Sequence, residues 1–496
     1  MAKKLSQIGI TISASGGTAK TLNSNGIPVT ALELYTGFNN LLGGRVKTLH
    51  PSIFAAILAR RDSESDMKEL SDIGVMPFDL VAVDCYPFDK ESERVLNEDD
   101  IELIDIGGIS LIRAAAKNHR FVLICHSADQ FEEVADIILE LEGKVPIDVS
   151  RGLAQKAFAF SAQYDASIAM KFNEELIDFD ASCYFNLPLT KHSNLRYGEN
   201  PHQKGAFYRH SYTKPLGVAA TIQLGGKELS FNNLLDLDTA LRLPREFDMP
   251  AISILKHTTP CGVGLGNNIN EAFLNARKTD PVSAFGGIVG SNREIDLETA
   301  KSIREGFVEV ISAPSYSEDA LKLLQRSKNL RILKFDGTFP DSELDMRTVL
   351  GGVLIQEFDN KFTELDNLRV VTKVSPSDEE MIALAFAWKV VRYVKSNAIV
   401  ICDAKGTLGI GAGQMSRLDS AKIAIAKSKE FELSIKGAVV GSDAFFPFPD
   451  ALEVLAEAGV KSVIQPGGSI RDQEVIEAAD KLGISMVFTS KRHFRH

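Results

Sequence analysis

Ala251-Ile-Ser-Ile-Leu255, with Lys256-His257 directly behind it, is the stretch from which the fold is read. An apolar run without strict alternation suits a strand covered on both faces. Leu80-Val-Ala-Val83, Phe121-Val-Leu-Ile124, Ala398-Ile-Val-Ile401 and Ala438-Val-Val-Gly441 have the same character. Helical periodicity fills the gaps, over Ser110–Asn118, Asp236–Leu243 and Ser416–Lys427. Apolar strands alternating with helices from end to end predict an α/β protein.

The chain has 496 residues, too many for one ordinary domain. A polar, acidic stretch at Glu174–Ala181 and the Leu187-Pro-Leu189 turn place a boundary between 175 and 192. No repeat is apparent. Residues 1–180 hold 17 Lys/Arg against 28 Asp/Glu, whereas the remainder is balanced. That distribution lacks the basic footprint of a nucleic-acid binder, so any anionic ligand must be met by locally placed cations and N–H groups. Five cysteines without a close pair exclude a disulfide framework and fit a reducing cytosol. No window reaches the ~20 apolar residues of a membrane span, and the start carries no signal-peptide core.

Several loops hold groups suited to anions. Ser15-Gly16-Gly17-Thr18 follows an expected strand over Ile8–Ile12 and opens a helix, where N–H groups can face an anion. Gly43-Gly44-Arg45-Val46-Lys47-Thr48 alternates two cations onto one face, as a phosphate site or a solvated basic loop would. Asp105 precedes a helix on which Arg113 and Lys117 share a face, which by spacing alone reads as a helix-terminus carboxylate with a solvated stripe, and Tyr86 ends a buried strand as a ligand group or an aromatic cap would. Further on, Arg196-Tyr197 lies in a turn rich in polar groups. Lys256-His257 stands at a strand end, where both side chains can turn into one cleft. Free imidazole exchanges protons near pH ~6.5, and a lysine does so only when desolvated or beside a cation. Pro260-Cys261 invites a zinc-deaminase reading, yet Gly264 stands where the second cysteine belongs and no His-x-Glu precedes it. The run Gly409-Ile-Gly-Ala-Gly413 is not the dinucleotide fingerprint, although its backbone could hold an anion or a flat heterocycle, with Arg417 adding charge.

Taken together the motifs resemble one family. Gly-Arg-Val-Lys-Thr-Leu-His-Pro (44–51), Ile-Asp-Ile-Gly-Gly (104–108), Arg-Ala-Ala-Ala-Lys-Asn-His (113–119) and Arg-Tyr-Gly-Glu-Asn-Pro-His-Gln (196–203) are part of the set. Lys-His-Thr-Thr-Pro-Cys-Gly (256–262), Asp-Pro-Val-Ser-Ala-Phe-Gly-Gly (280–287), Ser-Asn-Ala-Ile (396–399), Ser-Asp-Ala-Phe-Phe-Pro-Phe (442–448) and the tail Arg-His-Phe-Arg-His (492–496) complete it. They resemble, in order and over the whole chain, the bifunctional purine-biosynthesis family that joins AICAR formyltransferase to IMP cyclohydrolase.

The resemblance implies a methylglyoxal-synthase-like, doubly wound cyclohydrolase domain over 1–180. It implies a formyltransferase region over 190–496, built of two deaminase-like α/β subdomains without zinc that divide near 350–375. It also implies a cytoplasmic homodimer whose small-molecule substrates are AICAR, formyl-AICAR and IMP, with 10-formyltetrahydrofolate as co-substrate and no nucleic acid or membrane. By position, His257 would accept the proton of the substrate amine, Lys256 would assist the departing folate nitrogen, and Asn397 would orient substrate and formyl group. Arg196, Tyr197, Glu309, Arg417 and Phe494 match binding positions. In the first domain Lys47, Tyr86, Asp105 and Lys117 match catalytic positions, and Ser15, Gly16, Gly17, Thr18, Arg45 and Thr48 match binding positions.

Departures from the family pattern concentrate in the first domain. Its opening strand, first phosphate loop and next helix are expected to be missing. Asp84 stands in place of an asparagine, Ala55-Ala56 in place of glycines, and Phe160 in place of a histidine. A carboxylate for an amide beside an anionic nucleotide removes a donor and adds repulsion. Weak or absent cyclohydrolase activity is the corresponding expectation.

Overall fold

The computed structural model describes residues 1–38, 41–85, 96–172, 177–180, 183–211, 214–340, 343–359 and 368–496. The chain divides into two compact units, Met1–Thr190 with His210–Lys214, and Lys191–Arg209 with Pro215–His496.

In the first unit β1 (Ser13–Ala14) pairs parallel with β2 (Thr30–Ala31), and β3 (Leu80–Ala82) pairs parallel with β4 (Leu123–Cys125). The core gathers Ile53, Ile57, Ile112, Ile124, Val134 and Leu153 from strands and surrounding helices. The expected strand at Ile8–Ile12 does not form. Residues Ala2–Gln7 are helical, Ile8 and Ile10 are exposed, and pairing begins only at Ser13. The alternation of Ile8, Ile10 and Ile12 imitates a half-buried strand that has no sheet to bury it.

β5 (Leu189–Leu195) and β6 (Gly205–His210) form a two-stranded sheet. The second unit then builds a six-stranded sheet from β7 (Ile222–Gly225), β8 (Ala251–Lys256), β9 (Thr259–Leu265), β10 (Gly287–Ser291), β11 (Val308–Ala313) and β12 (Arg331–Lys334). After the hairpin of β13 (Leu344–Val349) and β14 (Gly352–Glu357) comes another six-stranded sheet. Its strands are β15 (Arg369–Val370), β16 (Ile399–Cys402), β17 (Thr407–Gly411), β18 (Val439–Ser442), β19 (Ser462–Gln465) and β20 (Ser485–Phe488).

The two sheets repeat one plan. Their orders are β7-β12-β11-β10-β8-β9 and β15-β20-β19-β18-β16-β17. In each, a hairpin (β8–β9, β16–β17) lies antiparallel to the first of three parallel strands, and an antiparallel strand closes the far edge. A capping box on serine starts the helix before each hairpin, Ser230 for Phe231–Arg242 and Ser377 for Asp378–Val391. This duplication corrects the reading that no repeat is present. What the two copies share is mainly strand order and glycine placement, which leave little trace in side-chain identity.

Those glycines let helices lie directly on the sheets. A Cβ on Gly264 would fall 2.3 Å from the Ala272 carbonyl oxygen, and one on Gly411 would fall 1.9 Å from that of Ser420. Gly409 and Gly411 are thus strand residues packed under the helix Arg417–Glu430, not a nucleotide-holding loop. Gly411→Ala should lower stability by about 2 kcal/mol, the range of overpacked cores. An earlier urea midpoint for the second unit, at unchanged slope, is the measurement that checks this.

The hairpin edges of the two sheets meet. Gly264 bridges Gly406, the Leu265 N–H donates to the Lys405 carbonyl at 2.7 Å, and Thr407 Oγ1 accepts from the Val263 N–H at 2.9 Å. One apolar cluster runs across the seam, from Leu243, Val263 and Leu265 to Leu384, Trp388, Val400 and Ile464. Side chains at the strand ends there stand on a rigid base.

Candidate active site

β8 ends at Lys256 and β9 begins at Thr259, which pairs with Lys256, so His257 and Thr258 alone make the hairpin turn. Both have positive φ, 55° and 61°, the requirement of a type I′ turn, which glycine and asparagine normally fill. A histidine followed by a β-branched threonine is an unusual occupant. The Asp236 carboxylate accepts both turn amides, His257 N–H at 3.2 Å and Thr258 N–H. Burial pushes the Asp236 carboxyl above its ordinary range, while those two N–H donors and His257 pull it back.

Asp236 lies on the helix Phe231–Arg242, whose early turns organise the neighbourhood. Asn232 Nδ2 donates to the Glu199 carbonyl at 3.3 Å, tying in the Arg196–Gln203 turn. Asn233 Nδ2 donates to Glu309 Oε2 at 3.1 Å. Glu309 is also near enough to Asp236 to push its carboxyl upward. Within the turn Arg196 Nη2 donates to the Tyr197 hydroxyl at 2.8 Å. One helix therefore gathers Arg196, Tyr197, Glu309 and His257.

A cavity of about 220 Å³ opens beside the pair, lined by Lys256, His257, Cys261, Asp280 and Lys427, with Ile410 and Ala412 of the second sheet's hairpin strand and its end. Lys256 Nζ donates to the Phe285 carbonyl at 2.8 Å. Opposite, Lys427 Nζ pairs with Asp280 at 3.2 Å. Burial lifts the Cys261 thiol to about 12, so it is a lining group and no nucleophile at neutral pH.

Asn397 stands where the chain leaves this wall. Its Nδ2 donates to the carbonyls of Gln414 at 2.9 Å and Met415 at 3.2 Å, just past Ala412. Arg417 Nη2 donates to Asn397 Oδ1 at 2.9 Å. Arg417 itself is buried. Its other amino group donates to Ser442 Oγ, the Ala398 carbonyl and Asp443 Oδ1, the last at 2.5 Å. The guanidinium read as free charge for a ligand is engaged with Asp443 and serves to hold Asn397. The tail reaches the same place, because Ser396 N–H donates to the Arg495 carbonyl at 2.8 Å. Phe494, next to that contact, is exposed, with the Arg492 guanidinium 4.3 Å from its ring.

In the first unit the helix Gly16–Ser24 starts after Ser15 without a side-chain cap, leaving the Gly16-Gly17-Thr18 amides available. Gly44 has φ 104°, and a Cβ there would strike the Lys47 side chain at 2.6 Å, so the glycine makes room for that lysine. Arg45 pairs with Glu102 across the surface. Asp105 Oδ1 accepts the Gly108 N–H at 2.7 Å, and Asp105 N–H donates to the Tyr164 hydroxyl at 2.8 Å. Thr48 Oγ1 lies 2.8 Å from where a Cβ on Gly107 would stand. Thr48 and Asp105 thus meet at the start of the helix Gly107–Lys117. Lys117 is at the other end, ~15 Å along the axis at 1.5 Å per residue, so the structure does not bring it beside Asp105. Tyr86 lies outside the described residues.

Sequence reasoning passed over Asp236, Asp280, Lys427 and Asp443 as site-building groups. Asp280 and Asp443 did stand within quoted motifs, whereas nothing around Asp236 or Lys427 marks them.

Comparison with known proteins agrees with the geometry. The family model described as AICARFT/IMPCHase bienzyme matches residues 115–427, and that of the MGS-like domain matches residues 1–110. The chain is 46% identical over 501 residues to the bifunctional purine biosynthesis protein PurH of Persephonella marina, with 100% of this chain and 96% of that one covered. Identity is 47% to PurH of Aquifex aeolicus, covering 100% and 97%, and 45% to PurH of Bacillus cereus, covering 100% and 96%. A solved structure titled "Crystal structure of ForH" is 35% identical with a TM-score of 0.33, covering 34% of this chain and 88% of that one. A methylglyoxal-synthase-like amino-terminal domain, a duplicated α/β region behind it and full-length identity above 40% have one meaning: the chain belongs to the AICARFT/IMPCHase bienzyme family.

Proposed function

We propose that the Lys256–His257 strand end is the centre of formyl transfer, within a chain that is a bifunctional enzyme of purine biosynthesis. The observation that carries this is the cavity that both residues line together with Ile410 and Ala412, the latter two and three residues along the chain from the carbonyls that hold Asn397. The enzyme transfers a formyl group from 10-formyltetrahydrofolate to AICAR and closes formyl-AICAR to IMP.

An amine on an aromatic ring is a poor nucleophile because its lone pair is delocalised, so a base must take its proton as the new bond forms. The amine nitrogen bonds to the formyl carbon, and His257 accepts the proton. The tetrahedral oxyanion then collapses, breaking the bond to the folate nitrogen, which receives a proton with the help of Lys256. As an ammonium Lys256 has three donors, of which the Phe285 carbonyl takes one. The other two are left to stabilise the oxyanion. Asn397, held by Arg417, orients the reacting groups. Arg196, Tyr197, Glu309 and Phe494 bind the substrates around them.

For ring closure the carboxamide nitrogen attacks the formyl carbon and water departs. Lys47 and Tyr86 attend the formyl oxygen, Asp105 and Lys117 assist the attack, and Arg45, Thr48 and residues 15–18 bind the nucleotide. Since Lys117 stands ~15 Å from Asp105 along its helix, a Lys117 from a second copy would complete the site, in keeping with the homodimer that the family resemblance implies. The same reading places the protein in the cytoplasm with no nucleic acid or membrane. Among the described residues no helix is long and apolar enough to cross a membrane, and no cluster of His, Cys, Asp or Glu could hold a metal.

Assaying the half-reactions separately tests the assignment. Lys256→Ala should slow formyl transfer about 100-fold and spare closure of supplied formyl-AICAR, and Lys47→Ala should do the reverse. Loss of both activities in either variant, with the fold intact by circular dichroism, would refute two separate sites. A wild-type closure rate far below transfer would match the expectation drawn from Asp84.

A further inference from the structure

We infer that Asp236 is a positioning residue for formyl transfer, holding the His257-Thr258 turn in the left-handed conformation that aims the imidazole into the cavity. The inference rests on the reading of His257 as proton acceptor.

Three observations carry it. The turn has only two residues, neither is glycine, and both have φ near 60°. Left-handed backbone is strained for a non-glycine residue, and most for a β-branched one. Something must offset two such residues in succession. The Asp236 carboxylate does so by accepting both turn amides, one on each oxygen, and a charged acceptor makes such bonds about twice as strong as a neutral one. Finally, His257 is exposed and, among the described residues, no hydrogen bond holds its imidazole. The turn backbone therefore sets the direction in which the side chain leaves the hairpin.

The equivalent hairpin of the second sheet shows what the turn looks like without this demand. There β16 ends at Cys402 and β17 begins at Thr407, and the four-residue turn Asp403–Gly406 caps itself, with Asp403 accepting the Lys405 and Gly406 amides. In the first sheet the turn is shorter, carries the histidine, and draws its carboxylate from a helix outside the hairpin. A carboxylate from outside can lock the turn while leaving its side chains free for chemistry.

The experiment compares Asp236→Ala, Asp236→Asn, Thr258→Gly and the double variant Asp236→Ala/Thr258→Gly in the full chain. Asp236→Ala should lose about 30- to 100-fold in kcat for formyl transfer, the scale of an ångström-sized misplacement, with little change in the KM for AICAR. Asp236→Asn, with a single oxygen for two amides, should fall between it and wild type. Glycine adopts the left-handed region freely, so the double variant should return to within a few-fold of Thr258→Gly alone. A merely structural defect of the helix would not respond to a glycine in the turn. Thermal unfolding and calorimetric AICAR binding show that each variant is folded. The inference is overturned if Asp236→Ala has wild-type kcat, or if glycine at 258 fails to rescue it. Normal activity in His257→Ala would instead remove the underlying reading.

Discussion

His257→Ala should abolish formyl transfer, by about 10³-fold or more in kcat, while AICAR binds within a few-fold of wild type. General base catalysis contributes ~10²–10⁴-fold, and the delocalised amine of AICAR places the demand at the upper end. Binding should be spared because the proposed function assigns the nucleotide to other groups, Arg196, Tyr197 and Glu309 among them. The imidazole is exposed and packs no core, so its removal leaves no cavity and no buried polar atom. Calorimetry with AICAR and a single-turnover transfer assay, run on one preparation, separate the two effects. Weak binding with unchanged single-turnover rate would assign His257 to recognition.

The second large effect is on stability. Asp443 is fully buried and accepts from Arg417, from the Ala398 N–H at 3.1 Å and from Ser396 Oγ. Asp443→Ala leaves the Arg417 guanidinium buried without its counter-charge, which costs about 3–5 kcal/mol. At ~2–4 °C per kcal/mol for a unit of this size, the melting temperature of the second unit should fall by about 10 °C. Formyl transfer should fall with it, since Arg417 no longer has a fixed position from which to hold Asn397. Replacing both partners together, by Arg417→Met and Asp443→Leu, should recover much of the stability and none of the activity. A small shift for Asp443→Ala would mean that solvent reaches the pair.

Strands were the most legible feature of this sequence. Ala251–Leu255, apart from Ser253, and Ala398–Ile401 are apolar because helices cover both faces of each sheet, and burial on two sides leaves no room for polar alternation. Ile8–Ile12 misled for the complementary reason, since its alternation is real but it meets the neighbouring strand only at its end, where the Ile12 carbonyl accepts the Thr30 N–H. The internal repeat was hidden because its shared elements are glycines beneath helices and serines at helix starts, residues common enough to carry little signal alone. At the site, Lys256-His257 was visible as a pair of reactive groups behind a strand. The clamp on their backbone was not. Asp236 sits on a helix like any other acidic residue, and only the fold reveals which amides it meets, 21 and 22 positions away. The carboxylate that engages Arg417 was hidden for a similar reason, because Asp443 is 26 residues further along. Spacing within a motif reveals what chemistry is possible, and long-range pairing decides which charges are still free to perform it.

Chemical rescue tests the assignment of His257 most directly. The exposed turn leaves space for a small base to diffuse into the position of the missing ring. Formyl transfer by His257→Ala should rise in proportion to added imidazole, and methylimidazoles of higher basicity should give faster rates at equal concentration of free base. A rate that stays flat across imidazole concentrations, with AICAR still bound, would contradict proton transfer at this position.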